Sequence, residues 1–244
     1  MIDRMALAVL AWAGAAAAQD VALPPADVYV LGERHDNPGH HATQAALVAR
    51  IVPRAVVFEM LDQEQAARIG PGTPRDAATL GPLLDWEASG WPDIALYAPI
   101  MAATDAPILG AAGGDVDLAP YDLAAPLPPV EQAAREALQA DAHCGALPPD
   151  ALPRVVAAQR EADARFAAHT LAAFDAHGGP VVLIAGNGHA RTDWGVPAAI
   201  ARVRPEIRVV AVVQSEGVGG DVPPGDLVLT SPAPPRGDPC AAFR

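Results

Sequence analysis

Two short segments of this 244-residue chain carry side chains suited to chemistry, and both read Gly-x-x-His. The first is Gly32-Glu33-Arg34-His35-Asp36-Asn37. The second is Gly186-Asn187-Gly188-His189, with Arg191 two positions further on. A third candidate is Glu59, which ends the apolar run Ala55-Val56-Val57-Phe58. Two carboxylates and two imidazoles (Glu33, Glu59, His35 and His189) support three chemistries. They can hold a divalent metal, with His35, Glu59 and His189 as ligands and Glu33 activating water. They can run metal-free acid–base catalysis, one carboxylate raised in pKa by its neighbour. Or they can form a hydrogen-bonded network beneath a binding surface. Arg34 and Arg191 are placed to meet an anionic group.

Each candidate sits at the end of a buried-strand pattern. The first strand is predicted over residues 27–31, and a strand over 181–185 precedes the second motif. Pro38 marks a helix start, and residues 40–52 carry helical apolar spacing before the strand that ends in Glu59. A β-α-β unit makes its strands parallel, so Glu59 falls at the same carboxyl edge as Glu33 and His35. Further strands are predicted over 107–111, 207–213 and 227–230. Helices are predicted over 62–69, 75–89 with a break at Gly81-Pro82, 94–103, 131–141, 149–177 and 196–203. On the longest helix, Gln159 and Asp163 lie four apart on one face, directed toward the site or into water. The alternation predicts an α/β fold: three layers, α/β/α, around a mostly parallel sheet, with the site at the carboxyl edge of its strands.

The chain is long enough to bury one full core, so residues 19–244 are expected to form a single domain. Residues 1–18 read as a signal peptide, because a short apolar run ends in Ala16-Ala17-Ala18 before Gln19. The run is too short to anchor in a bilayer, and no cysteine follows it to carry a lipid. The expected product is soluble in the periplasm or secreted. Cys144 and Cys240, far apart in an exported chain, predict one disulfide; two free thiols or a soft-metal pair are the alternatives. A net charge of −13 leaves no basic stripe for nucleic acid or an anionic membrane to dock on. Of the three tyrosines, Tyr29 reads as core, Tyr97 as packing and Tyr121 as the most exposed.

These residues resemble a known family. Residues 32–38, with His40-His41, resemble the opening motif of the ChaN-like haem-binding proteins, and residues 182–197 resemble their second motif. The segment from Trp91-Pro92-Asp93 to Pro99-Ile100 also fits. His143-Cys144-Gly145 and Asp238-Pro239-Cys240 are similar to the segments that carry the family's paired cysteines. The resemblance implies a haem-binding protein outside the cytoplasm, acting in haem or iron uptake with a haem transport system. It further implies a homodimer holding a cofacial haem pair, with tyrosine on the iron. Tyr97 and Tyr121 are the tyrosine candidates, and Arg34 and Arg191 would meet the propionates; His40 and His41 read first as polar residues at a helix start and second as haem or metal contacts. The family belongs to the Tiki group and is related in fold to erythromycin-esterase-like proteins. That kinship implies the alternative, a metal-dependent hydrolase on His35, Glu59 and His189. The chain departs from the family pattern in lacking a lipobox cysteine and in carrying Ala162 where an arginine is expected.

Overall fold

A computed structural model describes residues 21–217, 219 and 222–241; the expected signal peptide lies outside the described residues. Six strands run parallel in one sheet: β1 (Val28–Glu33), β2 (Ala55–Asp62), β3 (Ile108–Ala112), β4 (Val181–Gly186), β5 (Val209–Glu216) and β6 (Leu227–Ser231). Their spatial order is β3-β2-β4-β1-β5-β6, and every neighbouring pair is parallel. The two motif strands, β1 and β4, therefore lie side by side in the middle of the sheet. Open parallel sheets bind ligands beyond the carboxyl ends of their strands, which is where both motifs emerge.

Helices cover both faces. They are α1 (Pro38–Ile51), α2 (Gln63–Ala67), α3 (Ala77–Leu83), α4 (Ile94–Ala102), α5 (Pro129–Ala142), α6 (Leu152–His177), α7 (Asn187–Ala190) and α8 (Val196–Val203). The core splits accordingly. Tyr29, Leu31, Phe58 and Ile184 pack with Leu47 of α1 and Ile100 of α4 on one face. Val30, Val57, Leu183 and Ala185 pack with Phe166 of α6 and Ile200 of α8 on the other. The strands are apolar on both faces because both are covered.

Local chemistry explains the boundaries. Asn37 caps α1 by accepting from the backbone N–H groups of Gly39 and His40, and Pro38 occupies the first turn, where its missing donor costs nothing. The predicted break at Gly81-Pro82 does not occur. Helix α3 runs through both, because Pro82 removes a single donor near the helix end and Leu84 N–H still closes on the Leu80 carbonyl. The chain turns at Asp85 instead, in the left-handed conformation. Tyr121 also departs from expectation: it is 6% exposed, folded by a 3₁₀ turn into the same apolar cluster as Phe166 and Ile200. Cys144 and Cys240 are joined in a disulfide that ties the C-terminal segment to the end of α5.

Candidate functional site

Strand register sets the height of the site. Leu31, Ile184 and Phe58 are level across β1, β4 and β2, so Glu33, Gly186 and Glu59 all stand just beyond them at the carboxyl edge. Side chains alternate along a strand. Glu33 has the parity of Leu31 and turns to the face of α1 and α4. Glu59 has the parity opposite to Phe58 and turns to the face of α6. The pleat thus sends the two carboxylates to opposite sides of the sheet, and each meets its own histidine.

On the first side, buried Glu33 gathers three partners. Its Oε1 accepts from Tyr97 Oη (3.2 Å) and lies 2.8 Å from His35 Nδ1; its Oε2 is 3.4 Å from His41 Nδ1. Oε2 makes no hydrogen bond among the described residues. Burial opposes the charged form of His35, but the hydrogen bond to Glu33 and the charge of Glu59 outweigh it and raise its pKa above 6.5. Burial, then the neighbouring Glu33, holds the Tyr97 hydroxyl far above the usual phenol range. The Trp91 ring meets His35 edge-on at 4.9 Å between centroids.

On the second side the imidazole is enclosed. His189 Nδ1 lies 2.7 Å from Asp163 Oδ1, its Nε2 is 3.5 Å from Glu59 Oε1, and Gln159 Nε2 reaches the ring at 3.1 Å. Glu59 Oε2 accepts the Gly186 backbone N–H at 2.6 Å. Phe166 packs edge-on against the ring. Burial would lower the His189 pKa, but the charge of Glu59 and the hydrogen bond with Asp163 carry it to about 9. Burial raises the Asp163 carboxyl, with His189 opposing. Of the two directions open to Gln159 and Asp163, the fold takes the one toward the site.

The two sides meet under a cleft of about 790 Å³. Its lining includes Glu33, His35, Gly186 and His189 from the edge, with Arg34 and Arg191 beside them. The far wall is α5 and α6, which contribute Arg135, Leu138, Val156 and Gln159. Trp194 lies on the wall with two cations over its ring, Arg191 at 3.7 Å and Arg135 at 4.9 Å. Each arginine is also held by a carboxylate, Arg191 by Asp193 and Arg135 by Glu131.

Four of the expected contacts lie elsewhere. Tyr97, Tyr121, His40 and His41 are all buried and none lines the cleft. His40 Nδ1 accepts the Arg34 backbone N–H, so its Nε2 carries the proton toward the Ser215 carbonyl; burial lowers its pKa. His41 Nε2 donates to the His35 carbonyl at 2.9 Å. These two histidines therefore brace the first motif from beneath. His35, Glu59 and His189 are taken up in two separate networks, one around Glu33 and one around Asp163. Among the described residues, no three His, Cys, Asp or Glu side chains form a group able to hold a metal ion. Arg135 and Trp194 carry no signal in the sequence, because only the packing of α5 on α6 and the turn after α7 bring them to the edge.

A family model described as haem-binding uptake, Tiki superfamily, ChaN matches residues 21–119 and 111–200. A solved structure of cofacial haem binding to ChaN of Campylobacter jejuni is 24% identical, with a TM-score of 0.62; the match covers 83% of this chain and 86% of that one. At that identity the likeness speaks for the fold. The type III effector HopBA1 overlaps 90% of this chain and 91% of its own, but at 14% identity and a TM-score of 0.45 it carries no argument. Comparison with curated proteins gives no match.

Proposed function

From the premise that this chain belongs to the ChaN family of haem-binding uptake proteins in the Tiki superfamily, we propose that it binds haem in the cleft at the carboxyl edge and serves haem or iron acquisition outside the cytoplasm. The observation that carries the reading is the make-up of that cleft. Its volume falls within the range of small-molecule sites, roughly 300–1,000 Å³. Leu138 and Pro223 offer apolar surface to a macrocycle, and Arg34, with Arg135 and Arg191 stacked on Trp194, offers cations to its two carboxylates. Bound haem would supply an iron centre and a flat apolar body; the chain's own residues supply its walls and counter-charges.

Titration of the protein with ferric haem tests this reading. The expected result is a saturable shift of the Soret band, weakened when Arg191 is replaced by alanine. No shift with the wild type overturns it. Because haem is bound cofacially in the Campylobacter jejuni relative, the same titration with a mass measurement reports whether this chain pairs on loading. A homodimer with two haems is the proposed state.

Export is supported by the Cys144–Cys240 bond, since such bonds persist where thiols stay oxidised. Among the described residues, no helix is long and apolar enough to cross a membrane. Cell fractionation with N-terminal sequencing is expected to find a mature chain beginning at Gln19 outside the cytoplasm; an intact Met1 in the cytoplasm would overturn export.

A further inference from the structure

We infer that His35 is the axial ligand this chain offers to haem iron, through Nε2, with Glu33 as its positioning residue. The inference rests on haem binding in the cleft and names the atom that would meet the iron.

Elimination within the cleft leads to this nitrogen. None of the three tyrosines lines the cleft, and the Tyr97 hydroxyl, on a side chain with no exposed surface, is engaged by Glu33. Both cysteines are in the disulfide. The lining holds two imidazoles, His35 and His189. His189 is engaged at both nitrogens, by Asp163 and by Glu59 with Gln159. His35 differs. Its side chain is 34% exposed, its Nδ1 faces Glu33 at 2.8 Å, and its Nε2 has no hydrogen-bond partner among the described residues.

The surroundings suit a metal-binding imidazole. A buried carboxylate that accepts from Nδ1 fixes the tautomer, leaves the lone pair on Nε2 and makes that nitrogen a stronger donor. Trp91 packs on the ring and limits its rotation. The ring edge lies close over Gly186: a Cβ there would stand 2.9 Å from Nε2, 3.1 Å from Cε1 and 3.7 Å from Glu59 Oε2, so glycine at this position makes room for the imidazole. The second motif thus seats the ring that the first supplies.

The test is ferric-haem titration of wild type, His35→Ala, Glu33→Gln and Tyr97→Phe, read by absorption and by electron paramagnetic resonance, with circular dichroism to confirm folding. The expected wild-type spectra are those of histidine ligation. His35→Ala is expected to lose that signature, and added imidazole to restore it by entering the vacated space. Glu33→Gln, which keeps the ring but weakens the pull on Nδ1, is expected to raise the Fe(III)/Fe(II) potential and to weaken binding by about 10–100-fold. Tyr97→Phe is expected to leave the signature in place. Haem bound by His35→Ala with wild-type spectra, or a tyrosinate signature lost in Tyr97→Phe, would overturn the inference and leave the binding reading standing. Absence of binding by the wild type would instead defeat the reading on which it rests.

Discussion

At the end of β1 an imidazole has one nitrogen against a buried carboxylate and a third of its side chain exposed to the cleft. At the end of β4 a second imidazole, reached by the same Gly-x-x-His spacing, has carboxylates at both nitrogens and is nearly enclosed. The cause is the covering element. Helix α6 lies over the β4 edge and supplies Asp163, Gln159 and Phe166. Over the β1 edge, α1 and α4 supply their polar groups, His41 and Tyr97, to Glu33 beneath the ring. Equal motifs thus end in unequal surroundings: the second imidazole is enclosed between carboxylates, and the first is partly exposed at the cleft.

That contrast makes disruption costly on the second side and cheap on the first. Asp163→Ala leaves His189 buried beside Glu59 with one partner fewer, and breaking a buried pair of this kind costs about 3–5 kcal/mol; chemical denaturation measures it. A loss below about 1 kcal/mol, the range of exposed pairs, would show the pair to be solvated.

The pH dependence of stability sharpens the same point. The folded pKa of His189 is raised from 6.5 to about 9. Its stabilisation is therefore fully present below pH 6.5 and is lost as pH climbs through 9, a change on the order of 3 kcal/mol. His35, also raised, acts with the same sign. Asp163 has a raised carboxyl pKa, so its contribution too falls as pH rises, but the fall begins near the ordinary carboxyl value of 3.8. Melting curves from about pH 6 to 10 should fall for the wild type and flatten for His189→Gln. Parallel curves would contradict the assignment.

Smaller effects belong where the motifs touch. Gly186→Ala places a methyl 2.9 Å from His35 Nε2, and the crowding should cost roughly 1–3 kcal/mol of stability. His35→Ala should cost least, within about 1 kcal/mol, because Glu33 Oε1 keeps its bond from Tyr97 and the ring is partly exposed. Equal losses for His35→Ala and Asp163→Ala would erase the distinction between the two edges.

Much of this arrangement is legible in the sequence. Apolar runs of four to six residues mark β1, β2 and β4, and parallel pairing then carries Glu33, Glu59 and His189 to one edge. The partner of each side chain is not legible there. Side-chain alternation sends Glu33 and Glu59 to opposite faces, and that separation, visible only in the register, decides which histidine each one meets. Tyr121 reads as the most exposed tyrosine because it lies in a proline-rich, irregular segment, yet a 3₁₀ turn lays it into the core. His40 and His41 read as polar helix-start residues, but α1, capped by Asn37, packs both of them under the first motif. Arg135 belongs to a helix with no motif at all, and only tertiary packing gives it a place in the cleft.

A crystal structure of the protein grown with ferric haem tests the central claim most directly. The expected result is the macrocycle between α5 and the ends of β1 and β4, with the iron at His35 Nε2 and His189 still paired to Asp163 and Glu59. Haem seated elsewhere on the protein, with the cleft free of it, would contradict that claim.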